Sequence, residues 1–266
     1  MNFNRLLKLT EINNNTTKNA HLIINNTFVL QESLDKLTFG ERIDWDYKHH
    51  VSPNTYQLYL HSLMPISFLS NAFELTNDVS YLEKAIEIVK NWARFERTDN
   101  ENKFIWYDHT SAYRTHNLIY LYLCLGDNIS LYPELNELII KHAEFLYSDK
   151  YYRKNNHGIM MDRALIQSGV VFNYQKSDNW INKGLFRLKD NFYHSYSSRG
   201  IHLENSPEYH LVVQNLFISI EDFLLKYNLS LGSEIVDKFE QIEDYYSYIL
   251  KPDGFLPLIG DSSRKK

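Results

Sequence analysis

Two short stretches gather the side chains whose types and spacing could do chemistry. RKNNHGIMMDRALI, residues 153–166, places Arg153, Lys154, the amides of Asn155 and Asn156 and the imidazole of His157 directly ahead of an apolar helical run. IHLENSPEYH, residues 201–210, repeats the arrangement with His202, Glu204, Ser206, Tyr209 and His210. Both read as helix starts: Asn155 or Asn156 is an N-cap for the helix that follows, and Ser206-Pro207 is a cap followed by proline at the first helical position. A helix start exposes unpaired N–H groups and a partial positive charge, so two of them converging on one cleft favour an anion. Lys150, Arg153 and Lys154 add formal charge beside the first. Taken alone, NNHG reads first as ordinary capping; the chemistry depends on whether the two stretches meet in space.

The elements that must position them are helices. From Tyr56 onward helical periodicity dominates, and it predicts helices near 55–76 (kinked at Pro65), 79–95, 109–125, 132–147, 157–173, 178–195, 206–227 and 232–250. Short polar connections make successive helices antiparallel neighbours, paired around a ring or in layers. The longer connections, 96–108, 148–156 and 196–205, are where function is expected, and the two polar stretches occupy two of them. Residues 1–50 are Asn-rich and read as an arm packed on the body through Trp45, with a short strand at HLIINNTFVL; 51–250 read as the helical domain. The tail, 251–266, leaves through Pro252-Asp253-Gly254 into an extended apolar FLPLIG, the expected start of a linker to a further domain.

Composition narrows the function classes. The 266 residues carry a net charge of −5, which argues against a general nucleic-acid or anionic-membrane binder while leaving room for an anionic substrate on a local basic patch. Apolar residues make up 44%, with 20 Tyr against 9 Gly and 6 Pro, the balance of a well-packed helical globule. Rings with a polar tip suit a sugar-binding cleft as well as a half-buried helix face. Cys124, the single cysteine, sits in an apolar run and reads as a buried thiol. The N-terminus lacks an uninterrupted apolar core of a signal peptide and no run of about 18 apolar residues occurs, so the chain as written reads as cytoplasmic.

The order of NNHG and E-x-S-P-x-Y-H (Glu204, Ser206, Pro207, Tyr209, His210), preceded by IDWDY at 43–47 and by WYDHTSAYR, in which Trp106, Asp108 and Arg114 fit W-x-D-x-x-x-x-x-R, resembles the helical domain of heparinase II/III-type polysaccharide lyases and related alginate lyases. The resemblance spans about Trp45 to Asp261. It implies an all-α fold, an incomplete (α/α) toroid, normally followed by an antiparallel β-sandwich domain, which is expected to be missing from these residues. It also implies β-elimination on a uronic-acid polysaccharide, with no cofactor and no metal. On that pattern Asn156 neutralises the uronate carboxylate, Tyr209 is the acid at O4 and, for one substrate stereochemistry, also the base at C5, and His157 is a base or helper. Heparinase-like members add a histidine from the β-sandwich, the partner expected in cis. Softer expectations place Arg114 on a sugar carboxylate or sulfate through its planar fork, with an ion pair on the helix surface as the alternative. His109 and Arg153 are expected along the substrate. His210 is expected to orient Tyr209 or to fill the inner face of its helix, Glu204 to hold its loop, and Trp106 to stack on a sugar or to pack.

Two other classes fit parts of the pattern. A hydrolase on the same scaffold requires two carboxylates flanking the scissile bond, which Asp108, Asp162, Glu204 and Glu208 could supply. A helical domain that binds an acidic glycan without turnover requires only the basic and aromatic lining. A zinc deaminase is excluded, because no P-C-x-x-C follows His202-Leu203-Glu204.

Overall fold

A computed structural model describes residues 3–99, 101–260 and 262–263. Among them, regular structure is almost wholly helical: α1 (Thr16–Ile24), α2 (Pro53–His61), α3 (Met64–Thr76), α4 (Ser80–Glu96), α5 (Asp108–Leu125), α6 (Pro133–Tyr147), α7 (Asn156–Val171), α8 (Ser177–Ser195), α9 (Pro207–Leu225), α10 (Ser233–Val236) and α11 (Lys238–Ile249). The exception is a two-stranded antiparallel ribbon, β1 (Thr27–Phe28) with β2 (Leu37–Thr38), in which Thr27 faces Thr38.

The helices form two layers. Inner helices α3, α5, α7 and α9 pack in succession, while α4, α6, α8 and α11 cover them from outside. The sequence pattern accounts for the division. Helix α4 buries Tyr81, Leu82, Ala85, Ile86, Ile88, Val89 and Trp92, one stripe at three- and four-residue spacing, and keeps Glu83, Glu87 and Arg94 exposed on the other side. Helix α5 is buried nearly all round, so its hydrophobic pattern has no clear period. Ala20, Ile23, Phe28, Leu30 and Trp45 of the first fifty residues share one apolar core with α3, α4 and α5; Ile159, Ile166, Phe192, Val213 and Phe217 form a second between α7, α8 and α9. Among the described residues no helix is long and apolar enough to cross a membrane.

Three expectations change. The stretch HLIINNTFVL is not one strand, because its first half completes α1 and only Thr27–Phe28 is extended. The helix expected over 55–76 is two: Leu63 takes a left-handed conformation (φ 55°), the Asn117 amide satisfies the freed carbonyls of Ser62 and Leu63 at 2.8 and 3.3 Å, and Pro65 sits in the first turn of α3, where its missing N–H costs nothing. The helix expected over 232–250 is likewise divided, into α10 and α11.

Candidate functional site

Asn155, with extended backbone, is the cap of α7: its side-chain oxygen accepts from the backbone N–H of His157 (3.0 Å) and Gly158 (3.3 Å). That leaves Asn156 as the first helical residue with an uncommitted amide; among the described residues it makes no side-chain hydrogen bond. Gly158 explains the last letter of NNHG. A Cβ there would lie 2.0 Å from the Arg153 carbonyl oxygen and 3.0 Å from the Tyr152 ring, so only glycine lets the 148–156 connection fold back over the helix start. Arg187 of α8 anchors that connection, donating to the carbonyls of Leu146 (2.8 Å) and Tyr147 (3.0 Å), lying over the Tyr152 ring and pairing with Asp149.

The second stretch is tied to the same end of α8. The Asn191 amide donates to the Asn155 carbonyl (3.0 Å), Ser195 Oγ donates to the Asn191 side-chain oxygen (3.0 Å), and the Ser195 carbonyl accepts from Leu203 N–H (2.9 Å). Residues 48 positions apart, Asn155 and Leu203, are thus joined through one helical turn of α8. Ser206 caps α9 by accepting from Tyr209 N–H, and Tyr209 is half-buried, its hydroxyl making no hydrogen bond among the described residues. The start of α9 is not an open anion site, however. Ser262 lies across it, its Oγ within 3.1 Å of both Ser206 Oγ and Glu208 N, and Glu208 accepts from Ser263.

Between α5 and α7, His157 Nδ1 meets the Asp108 carboxylate at 3.1 Å. Burial pushes the Asp108 carboxyl up, but the hydrogen bond and charge of His157 and the N–H of His109 outweigh it and hold it below the ordinary value. With Nδ1 donating to Asp108, the lone pair of His157 is on Nε2, which has no partner among the described residues. His109 stands 5.4 Å from His157, centroid to centroid, and 4.4 Å from Tyr113. Burial, then the proximity of His157, pulls His109 down to about 4, and its buried Nε2 has no hydrogen-bond partner among the described residues. Two depressions of about 390 and 410 Å³ adjoin at Tyr59; the first is bordered by Tyr107 and His109, the second by Thr10, Glu11 and Tyr113. Residues 109 and 113 share one face of α5, and 156, 160 and 163 one face of α7, a helical spacing that periodicity makes readable from the sequence.

The remaining expected residues belong elsewhere. Arg114 does not reach a substrate: it is fully buried, donating at 2.6 Å to His142 Nε2, to the His61 carbonyl and to the Ile105 carbonyl, and lying 4.0 Å over the Trp92 ring. Trp106 packs against His142 and Phe145 and donates to Glu96 (3.0 Å), so the packing alternative holds. His61 joins this hub to IDWDY, accepting from Trp92 and donating to the Trp45 carbonyl (3.0 Å). His210 is buried; its Nε2 donates to the Ile242 carbonyl (3.0 Å) and its Nδ1 accepts from His202 N–H (3.3 Å), so it fills the inner face of α9. Glu204 is exposed and makes no hydrogen bond among the described residues; backbone bonds hold its loop instead. Arg153 is exposed at the rim, close enough to Tyr107 for its charge to act there. Among the described residues no group of three or more His, Cys, Asp or Glu has metal-holding geometry.

Comparison with known proteins decides the lineage. The model of the heparinase II/III N-terminus matches residues 2–266. The chain belongs to the heparinase II/III family. It is similar to the heparin-sulfate lyases of Bacteroides thetaiotaomicron (23% identity over 90% of this chain and 37% of the relative) and Pedobacter heparinus (22%, 84% and 35%). Among solved structures it resembles heparinase III (TM-score 0.77, 20% identity, 92% of this chain and 40% of that one) and a mutant of the heparan sulfate lyase HepC of Pedobacter heparinus (0.75, 20%, 100% and 44%). At these identities the structural likeness speaks for the fold, the incomplete (α/α) toroid. The chain spans just over a third of the length of its curated heparinase relatives.

Proposed function

We propose that this chain is the helical part of a polysaccharide lyase that cleaves an acidic, uronate-containing polysaccharide, of the glycosaminoglycan kind that its relatives' names specify, by β-elimination. The observation that supports the reading is the tether through Asn191 and Ser195, which gathers the starts of α7 and α9 at one end of α8 while, among the described residues, the Asn156 amide and the Tyr209 hydroxyl make no hydrogen bond. The reaction removes the proton on C5, breaks the C4–O4 bond and forms a C4=C5 double bond. Asn156, at a helix start, donates to the uronate carboxylate, where negative charge develops as C5 loses its proton. Tyr209 delivers its proton to O4 of the leaving sugar. His157 Nε2, made an acceptor by Asp108 on the opposite nitrogen, takes the C5 proton or relays it. Arg153 at the rim adds positive charge along the approach.

The hydrolase alternative lacks its carboxylate pair. Asp162 is fully buried against Arg187, Asp108 is committed to His157, Glu208 is held by Ser263 and Glu204 stands in solvent. The test is incubation with uronate polymers under ultraviolet detection: elimination yields an absorbing unsaturated product, hydrolysis and simple binding do not. Absorbance growth that vanishes in Asn156→Ala, through kcat more than through affinity, is the expected result.

A further inference from the structure

Arg163 is the cation that the expected chemistry leaves out. It lies on α7 two turns beyond Asn156 on the same face, half-buried, and among the described residues no carboxylate comes within ion-pair distance of it. Its one neighbouring acceptor is His116 Nε2, at 3.4 Å from Arg163 Nε. That contact is not a hydrogen bond. Gln167 Oε1 accepts from Leu7 N–H at 2.7 Å, which fixes the orientation of the amide, so Gln167 Nε2 donates to His116 Nδ1 at 2.9 Å. A neutral imidazole that accepts at Nδ1 carries its proton on Nε2, and burial keeps His116 neutral. Two N–H groups therefore face each other, and among the described residues the Arg163 guanidinium has no acceptor. A half-buried cation without a counter-charge is costly, in contrast to Arg114, whose three donating nitrogens are all satisfied.

We propose that Arg163 is the anion-binding residue of the cleft, its planar fork taking a carboxylate or sulfate group of the acidic glycan beside His109 and Tyr113. The proposal deepens the lyase reading and rests on it for the identity of the glycan. Both neighbours feel the cation: its charge acts on His109 and on Tyr113.

The test compares wild type, Arg163→Gln and Arg163→Lys for thermal stability and for binding of a sulfated heparan oligosaccharide and its desulfated counterpart, with inorganic sulfate and glucuronate as small probes. The expected result is that Arg163→Gln melts no lower than wild type, loses stabilisation by the small anions, and binds the oligosaccharide about tenfold or more weakly, Arg163→Lys recovering part. Weakening confined to the sulfated ligand identifies sulfate as the group; equal weakening of both identifies the carboxylate. A lower melting temperature with unchanged affinity, or a wild type that binds none of these ligands, overturns the proposal. Elimination with Arg163-independent binding removes this inference alone, whereas Arg163-dependent binding without elimination removes the lyase reading and leaves this one.

Discussion

The two buried or half-buried arginines of the inner helices, Arg114 on α5 and Arg163 on α7, sit in opposite circumstances. Around Arg114 every polar group has its match: His142 and two carbonyls take its N–H groups, Trp92 covers its face, and His61 ties Trp92 to Trp45. Around Arg163 and the start of α7, the guanidinium, the Asn156 amide, His157 Nε2 and His109 Nε2 lack hydrogen-bond partners among the described residues. A satisfied network holds a fold together; unsatisfied polar groups are those a ligand could satisfy. The contrast separates scaffold from site more sharply than residue type does, since both places contain arginine, histidine and tryptophan or tyrosine.

The largest expected effect comes from acid, and it falls on the scaffold. Burial lowers His61 to about 4 and His142 well below its ordinary value. The unfolded chain takes up protons below about pH 6.5 while these folded imidazoles do not, so stability falls as pH drops from about 6.5 toward 4, at up to ~1.4 kcal/mol per pH unit for each. Urea denaturation should therefore show the protein clearly less stable at pH 4.5 than at pH 7. Arg114→Ala comes next: three buried acceptors lose their donor, at a cost of about 3–5 kcal/mol in the same assay, against no loss for Arg163→Gln. If the two arginine variants cost equal stability, the contrast is broken.

Gly158→Ala sharpens the other side. Its Cβ must displace the Arg153 carbonyl, which costs about 1–3 kcal/mol and shifts Asn156, so elimination should fall together with stability. Asp108→Asn should cost folding little, about 1 kcal/mol by denaturation. Its signature is kinetic: the His157 tautomer is released, kcat falls and the pH–rate profile moves, with KM little changed.

Helix starts were legible in the sequence because their chemistry is local. Asn155 and Ser206 cap, Pro207 follows, and Gly158 permits the close approach that a side chain forbids. The break at Leu63 was not, since a left-handed leucine leaves no compositional mark and Pro65 pointed to a kink two residues late. Nor was α1, whose apolar HLII in an Asn-rich arm is too short for its period to tell helix from strand. Arg114 misled because a motif reports which residues recur in order, not whether they face solvent; its burial follows from α5 lying between α3, α4, α6 and α7. Arg163 was available by counting seven residues from Asn156, but that it lacks an acceptor follows only from the hydrogen-bond directions of Gln167 and His116.

The most direct test of the account is the Tyr209→Phe variant, made in the longest natural chain that contains these residues and assayed on a uronate polymer by ultraviolet absorbance of the unsaturated product. The ring remains and only the proton is removed, so the account predicts wild-type stability, nearly wild-type polymer binding and loss of elimination by at least a hundredfold or so. A variant that retains most of the wild-type rate contradicts it.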